Sequence, residues 1–275
     1  MRGLDATGPA RGLPGAARRG GVAAGFDADA QAYITAVETA DVQDLEPAVR
    51  DAINDFVVGC KADGIWDAIK ASCILAGART LTGALVPLKG TAPTNFNFVE
   101  GDYNRTTGLL GNGSTKYLNS NRDGNADPTD NCHGAVYATT ALSVSGGAYF
   151  GARDTVSSVN RNAVLVSRSG GASTLNFSAR SGFNVGRLAT DVGLIGVFRN
   201  NGTSESARSG NASIQFTVNS AVPGPNKITV FAQNTFGTVN NRVDARLAFY
   251  SIGESLDLAL LDARVTTLIN AYGAI

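Results

Sequence analysis

Apolar residues recur every three or four positions in two stretches near the start of the chain, the spacing typical of a helix with one buried face. The first stretch, 27–40, begins at aspartates that can accept hydrogen bonds from the free N–H groups of a first helical turn. The second begins near Pro47, which suits the first position of a helix, and an Asp-Gly pair at 63 ends it. The buried faces of these two helices are predicted to carry Tyr33, Ile34, Val37, Val49, Ile53, Phe56 and Val57.

A third apolar stretch, Ile65–Leu75, has the same helical spacing and predicts a third helix. It contains Trp66, the only tryptophan of the chain. Its neighbours on the helix face would be Ile69 and Cys73, so we expect Trp66 to pack in the core or between domains rather than to stack on a sugar.

Beyond residue 101, short runs and turn signals alternate, which is typical of an all-β domain. Asn112-Gly113 predicts a hairpin between Gly108–Leu110 and Lys116–Leu118, because a tight hairpin turn needs residues that tolerate positive φ. Asn201-Gly202 predicts a second hairpin in the same way. No helix-length run interrupts the strands, so the pattern favours a sandwich or jelly roll over an α/β sheet. The predicted strands are Ala135–Thr140, Gly147–Ala152, Ala163–Ser167, Thr174–Ala179, Gly193–Arg199, Ser213–Val218, Lys227–Gln233 and Arg242–Ser251.

The end of the chain returns to helical spacing, with Ser255 as the predicted cap. Its apolar stripe is wide and should be buried. We expect the helix to pack on the sandwich, and packing in an oligomer interface is the alternative. The stripe consists of Leu258, Leu261, Val265, Leu268, Ile269 and Tyr272, widened by Leu256, Leu260 and Ala263. The patterns therefore divide the chain into an extended arm at 1–26, a helical segment at 27–84, a β-sandwich at 85–253 and a C-terminal helix at 254–275.

The composition adds constraints on partners and chemistry. The 275 residues carry zero formal net charge and only 17% charged side chains. Zero net charge argues against nucleic-acid binding and removes the self-repulsion that keeps monomers apart. No apolar run approaches the length of a membrane span, so no membrane insertion is expected. Three cysteines without a close pair, Cys60, Cys73 and Cys132, predict buried, reduced thiols.

The first 26 residues are rich in Gly, Ala and Arg and cannot bury a core of their own. Arg2, Arg11, Arg18 and Arg19 outnumber the single acid, Asp5. One interpretation is a solvated tail. The other is an anchoring arm whose arginines make assembly contacts with a partner.

Three stretches follow each other in an order that resembles a known family: KADGIWD at 61–67, TGLLGNGSTKYLN at 107–119 and AFYSIGESL at 248–256. The chain resembles phage and prophage structural proteins with a concanavalin A-like (laminin G-like) jelly-roll domain. The Asn201-Gly202 hairpin is similar to one in that domain. The resemblance covers roughly Ile53 to Ala271. It implies a mainly β fold, two antiparallel sheets packed face to face, and a place in a virion, without a set of catalytic residues.

Residue patterns for catalysis are missing from the sequence. Glucanases of this fold place Glu-x-Asp-x-x-Glu on one strand, because a retaining mechanism needs two carboxylates in one cleft. Here Glu100 and Asp102 stand two apart, and no third acid follows them. His133 is the only histidine, and no nucleophile motif accompanies it. We therefore expect a polar residue at a loop-to-strand junction there, and no enzyme.

The polar loop at 120–131 is the best candidate for a bound ion or ligand. Asp123, Asp127 and Asp130 supply oxygens of the kind that Ca²⁺ takes, although the order of an EF-hand is missing and a solvated loop is the alternative. No other cofactor is indicated. A lectin-type site on the loops around 123–133 and 200–202 is the second candidate. Its predicted ligand-binding residues are Asp123, Asn125, Asp127, Asp130, Asn131, His133, Asn200 and Asn201.

Together, these features and the resemblance predict a non-catalytic structural protein of a bacteriophage particle, in capsid decoration or in the tail. Other virion proteins would hold it through the arm and helices. A homo-oligomer is expected, and a trimer is suggested only by the oligomeric state that is usual among phage proteins. The alternative is a receptor- or glycan-binding module of a tail fibre that contacts a host-surface glycan. A glycan hydrolase is the third hypothesis.

Overall fold

The computed structural model describes residues 25–143, 146–156, 159–168, 174–182, 184–186 and 190–274. In this part of the chain, two β-sheets pack face to face and helices from both ends of the sequence lie on one of them. The predicted fold class, a mainly β sandwich with N-terminal helices and a C-terminal helix, is confirmed. Most of the predicted arm, with Arg2, Arg11, Arg18 and Arg19, lies outside the described residues.

The helices are α1 (Ala28–Asp41), α2 (Pro47–Ala62), α3 (Leu81–Ala84) and α4 (Leu258–Tyr272). The strands are β1 (Ile69–Ile74), β2 (Thr94–Phe96), β3 (Tyr103–Asn104), β4 (Gly108–Leu110), β5 (Tyr117–Asp123), β6 (Cys132–Ala138), β7 (Gly147–Val156), β8 (Val159–Arg168), β9 (Leu175–Ala179), β10 (Asn184–Gly186), β11 (Gly193–Arg199), β12 (Ser204–Ser209), β13 (Ala212–Thr217), β14 (Lys227–Val230), β15 (Gln233–Thr235), β16 (Thr238–Asn240) and β17 (Arg246–Gly253).

The first sheet runs in the order β13-β12-β11-β6-β17, with β1 and β4 both on the far edge of β17 and β3 beyond β4. The second sheet runs β10-β9-β8-β7-β14-β5-β2, and β15 pairs in parallel with β7. Val197 and Tyr250 from the first sheet meet Phe150 and Phe177 from the second in the core between the sheets. Burying these apolar side chains is the main force that holds the two layers together.

A second core fixes α1, α2 and α4 to the outer face of the first sheet. Val37, Phe56 and Leu261 from the helices are buried there with Phe249 of β17. The rings of Phe56 and Phe249 meet edge to face, with centroids 5.8 Å apart. The helices therefore form a third layer on the sandwich.

The predicted helix over 65–75 is wrong. Only Trp66–Ala68 forms a 3-10 turn, and β1 follows as a strand that pairs antiparallel with β17. Ala71 and Cys73 lie in the core between the sheets, whereas Ile74 lies in the core beneath the helices. Because β1 is buried on both faces, its apolar residues do not alternate with polar ones, and periodicity cannot distinguish such a short segment from a buried helix. The sandwich therefore starts at β1, and not at residue 85. Trp66 is buried, as predicted.

The predicted hairpin at Asn112-Gly113 is also wrong. Strand β4 pairs with β3 and β17 in the first sheet, whereas β5 pairs with β2 and β14 in the second. The turn exists, because Asn112 Oδ1 accepts the backbone N–H groups of residues 114–116. It carries the chain from one sheet to the other. The hairpin at Asn201-Gly202 is confirmed, since β11 and β12 pair directly.

The C-terminal helix packs as predicted, on β11 and on α2. Its cap is Asp257, whose carboxylate accepts the N–H of Ala259, and not Ser255. The predicted stripe is buried, but Leu260 and Ala263 are exposed, so the buried face is narrower than the sequence indicated. No helix in the described ranges has the length and apolar character needed to cross a membrane.

Candidate functional site

Loops from both sheets converge at one end of the sandwich, and buried arginines hold them there. The side chain of Arg199, at the end of β11, has no exposed surface. Its Nε donates to the carbonyl of Ala179 at 2.7 Å, Nη1 to that of Asn201 at 3.0 Å and Nη2 to that of Val218 at 3.0 Å. One guanidinium thus satisfies carbonyls from three separate segments, which fixes the loops relative to one another.

Arg180 does the same for the loop that follows β5. Its Nη1 donates to the carbonyl of Gly124, and its Nη2 donates to that of Asp127 at 3.0 Å. Its own carbonyl accepts the N–H of Ala221. Arg180 has a positive φ of 58° and is 1% exposed, so it serves this network and not a ligand.

The calcium site predicted from three aspartates is not formed. The carboxylate of Asp127 is paired with Arg122, with Nε 2.9 Å from Oδ2. The carboxylate of Asp123 lies 2.7 Å from Nζ of Lys227. No group of three or more His, Cys, Asp or Glu side chains that could hold a metal occurs in the residues that the structure describes. Two of the three carboxylates are thus neutralised by a neighbouring cation.

The third carboxylate, Asp130, lies against the Asn201-Gly202 turn. Its oxygens are 3.5 Å from the position that a Cβ would take at Gly202. Asn201 shapes this turn, because its Oδ1 accepts the backbone N–H groups of Thr203 and Ser204 at 2.9 and 2.8 Å. The two loops predicted to carry a ligand site are therefore neighbours, but Asn201 is occupied with the backbone.

The other predicted loop residues divide between structural and accessible positions. Asn131 Oδ1 accepts the N–H of Ser255 at 2.7 Å, which ties the loop to the segment before α4. Asn125 and Asn200 are exposed, and Asn200 lines the groove described below. Of the predicted ligand residues, Asn200 is the one with direct access to a sizeable hollow.

His133 lies at the loop-to-strand junction, as predicted, because β6 begins at Cys132, but the prediction of a ligand-binding role for it is wrong. It lies within β6 beneath the helices and is fully buried. Its Nδ1 is 2.5 Å from the carbonyl oxygen of Glu254, and its Nε2 is 2.7 Å from Oγ of Ser251. A carbonyl only accepts, so Nδ1 carries the proton and Nε2 accepts from the serine hydroxyl. Burial lowers the pKa of His133 to about 4, so the ring is neutral at pH 7.

A groove of about 620 Å³ lies between the outer face of β11, β12 and β13 and the first turn of α4. Side chains alternate across a strand, so β12 and β13 direct every second residue to this outer face. The segment before α4 supplies the opposite wall. Hydroxyl and amide groups reach the groove from Asn200, Ser206, Ser213, Gln215 and Ser255, and apolar surface from Phe198 and Leu256.

The charges of the groove are few and mostly paired. Arg208 donates from Nε and Nη2 to Oδ2 of Asp262 on α4, at 2.9 and 2.7 Å. Asp257 is the single carboxylate among the described residues that line the groove. Most glycosidases place two carboxylates across the scissile bond, and the described lining of this groove supplies one.

Sequence reasoning found Asn200 and missed most of this site. The signal it could have used is the small polar residues that alternate along β12 and β13, whereas the nearness of α4 to these strands is not visible in the sequence. Two other hollows are less suitable. One of 720 Å³ between α2 and α4 is lined mostly by alanine and other apolar side chains, and one of 270 Å³ lies beside the buried ring of Trp66.

Comparisons with known proteins give likenesses of fold at low identity. No protein-family model matches the sequence, and no curated protein matches it. The K499G mutant of NanB sialidase from Streptococcus pneumoniae is 11% identical over 49% of this chain and 24% of its own, with a TM-score of 0.39. The binding domain of botulinum neurotoxin serotype D is 8% identical, covers 76% of this chain and 52% of its own, and has a TM-score of 0.47.

Domain 4 of AbnA, a GH43 extracellular arabinanase from Geobacillus stearothermophilus in complex with arabinotriose, is 11% identical. The match covers 64% of this chain and 82% of that domain, with a TM-score of 0.38. This chain spans about a quarter of the length of the NanB sialidase structures that it resembles.

Proposed function

We propose that this chain is a non-catalytic, carbohydrate-binding β-sandwich whose ligand lies in the groove between β11–β13 and α4. The observation that carries the proposal is the lining of that groove. An aromatic ring, Phe198, stands beside the amides of Asn200 and Gln215 and the hydroxyls of Ser206 and Ser213. A sugar presents hydroxyl groups that need such partners and an apolar C–H face that packs on a ring.

The absence of a second carboxylate in the described lining supports binding without turnover. Asp257 is also engaged as the cap of α4, because Oδ1 accepts the N–H of Ala259 at 2.7 Å. A saccharide in the groove would therefore be held and released unchanged.

Saccharide binding by the intact chain and by Phe198→Ala tests this proposal. A panel of neutral and acidic oligosaccharides is screened by saturation-transfer NMR, and binders are titrated by calorimetry. We expect Phe198→Ala to weaken binding about tenfold, or about 1.4 kcal/mol, because the ring contact is lost. The matched control is Phe236→Ala, which removes a half-exposed ring outside the groove lining. Equal loss in both variants, or no binding to any saccharide, would refute the proposal.

We propose as a second function that the chain is a structural protein of a bacteriophage particle, in its capsid or tail. The resemblance of the stretches at 61–67, 107–119 and 248–256 to phage structural proteins supports this role. The arginine-rich residues 1–24 are the proposed contact with other virion proteins, and a homo-oligomer, with a trimer as one form, suits the zero net charge. The two functions are compatible, because a particle protein can also bind a host-surface glycan.

Removal of residues 1–24 tests the particle role. The cut leaves Phe26, which packs against the helical core, and Asp27, which caps α1. We expect a folded protein that no longer joins the particle, measured by mass spectrometry of purified particles. A second variant with lysine at positions 2, 11, 18 and 19 keeps the charge and separates a general electrostatic contact from specific arginine contacts. Full incorporation of the truncated chain would show that the arm is dispensable.

A further inference from the structure

We infer that this groove selects neutral saccharides and excludes acidic ones. The inference rests on the carbohydrate-binding function proposed above and specifies its ligand class. Its basis is the state of Arg208, the single basic side chain among the described residues that line the groove. An arginine in a sugar-binding groove commonly suggests recognition of a carboxylate, because the guanidinium matches a carboxylate in two parallel hydrogen bonds.

Here that carboxylate is already supplied by the protein. Nε and Nη2 of Arg208 both donate to Oδ2 of Asp262, and Nη1 donates to Oγ of Ser213 at 3.2 Å. Asp262 is held in turn by the hydroxyl of Thr266, which donates to Oδ1 at 3.1 Å. The side chains of the pair are 13% and 10% exposed, so little solvent screens their attraction. The remaining N–H groups of Arg208 can donate to a ligand hydroxyl, but its charge is balanced.

A second carboxylate makes the groove unfavourable for an anion. Asp257 lines the groove and occupies the N-terminus of α4, where its negative charge meets the positive end of the helix dipole. This end of the helix would otherwise attract an anionic ligand. Two carboxylates therefore stand against one guanidinium.

An acidic sugar meets a cost in this groove that a neutral sugar does not. A uronic or sialic acid carboxylate would have to displace Asp262 from Arg208 or remain unpaired near two like charges, and both are unfavourable. The hydroxyls of a neutral sugar need only the amides of Asn200 and Gln215 and neighbouring serine hydroxyls. The ligand class is thus set by the Arg208–Asp262 pair.

The test compares matched ligands on the full chain by calorimetry. Neutral oligosaccharides are paired with uronic acid counterparts of the same length, and lactose with sialyllactose. We expect the neutral member of each pair to bind at least tenfold tighter. Asp262→Asn removes the carboxylate that pairs with Arg208. We expect this variant to reduce the ratio of the affinity for the neutral sugar to that for the acidic sugar at least fivefold. The control is Asp63→Asn, which breaks the Arg264–Asp63 pair elsewhere on α4 (Nε to Oδ2, 2.7 Å) and changes the net charge equally.

Each outcome bears on a separate statement. If the native chain binds acidic members as tightly as neutral ones, the inference is wrong while the carbohydrate-binding function stands, and this comparison holds even if Asp262→Asn does not fold. If Asp262→Asn shifts the ratio no more than Asp63→Asn, the Arg208–Asp262 pair does not set the ligand class. If no saccharide binds, the proposed function fails and the inference fails with it.

Discussion

Arg199 and Glu205 face each other across the β11–β12 hairpin, with Nη2 3.4 Å from Oε2 and no exposed surface on either side chain. Oε2 of Glu205 also accepts the N–H of Ala179 and the hydroxyl of Ser181, each at 2.8 Å. The charge of the guanidinium that positions the loops is thus balanced inside the sandwich, where an unpaired charge would be costly.

Replacing Glu205 with glutamine should destabilise the protein strongly. Glutamine keeps an acceptor for Ala179 and Ser181 but leaves the Arg199 charge buried without its counter-charge. We expect the free energy of unfolding to fall by roughly 3 kcal/mol, measured by chemical denaturation. Asp130→Asn, a change at an exposed carboxylate beside the same turn, should change it by less than about 0.5 kcal/mol. Equal effects of the two variants would show that the buried charge pair contributes little.

The buried His133 should make the free energy of unfolding depend on pH even above the pH range in which carboxylates titrate. Its pKa is lowered from 6.5 to about 4 in the folded protein, because burial disfavours the charged ring. The unfolded chain therefore binds the proton first as pH falls, and stability declines from pH 6.5 towards 4, by up to roughly 3 kcal/mol. Denaturation at pH 7, 6 and 5 measures this decline. His133→Gln, which cannot titrate, should flatten it, and an unchanged slope in that variant would assign it to other groups.

The ion pair that ties α2 to the first sheet should contribute in a lower pH range. Arg105 holds both oxygens of Glu46, with Nη1–Oε1 2.9 Å and Nη2–Oε2 2.7 Å. Hydrogen bonds from Arg105 lower the pKa of Glu46 from 4.5 to about 2. The stability that this pair gives is therefore present above pH 4.5 and lost as pH falls through 2.

Glu46→Gln should lower the free energy of unfolding by about 1 kcal/mol at pH 7, since the pair is partly exposed. It should also reduce the loss of stability between pH 4.5 and 2. Denaturant melts at pH 7, 4 and 3 measure both effects. Asp44→Asn is the control, because Asp44 is 88% exposed and lies 3.7 Å from Arg50. A loss no larger than that of the control would mean that the pair does not anchor α2.

The three cysteines should be inert in the folded protein. All are buried and free, and burial raises the pKa of Cys60 and Cys73 to about 12 and that of Cys132 to about 11. The thiolate is the reactive form, so little of it exists at pH 8. We expect no reaction with a thiol reagent under native conditions and three equivalents after unfolding in denaturant, read by absorbance. Rapid native labelling of any cysteine would reveal local opening around it.

Several features of the fold could be predicted from the sequence because they depend on neighbours along the chain. The spacing of Val49, Ile53 and Phe56 indicated α2, since a helix places these residues on one face by itself. The hairpin at Asn201-Gly202 followed from two residues that tolerate its turn, and β11 has the predicted bounds. Alternation and turn signals were sufficient for a mainly β sandwich.

Other features depended on partners far away in the sequence. Ile69–Ile74 is a strand because it pairs with β17, nearly 180 residues later, and apolar periodicity carries no information about that pairing. Asn112-Gly113 makes a turn, but the strands on its two sides belong to different sheets. His133 is polar in sequence and buried in the fold, because Ser251 and Glu254 satisfy its ring.

The candidate site shows the same division. The polar residues of β12 and β13 and the position of Asn200 near a turn are visible in the sequence. That α4 lies beside this face and that Asp262 neutralises Arg208 follows only from the packing of distant segments. The groove forms only because β13 and the start of α4 come together, although more than 40 residues separate them in the sequence. Burial of α4 against the first sheet brings them together.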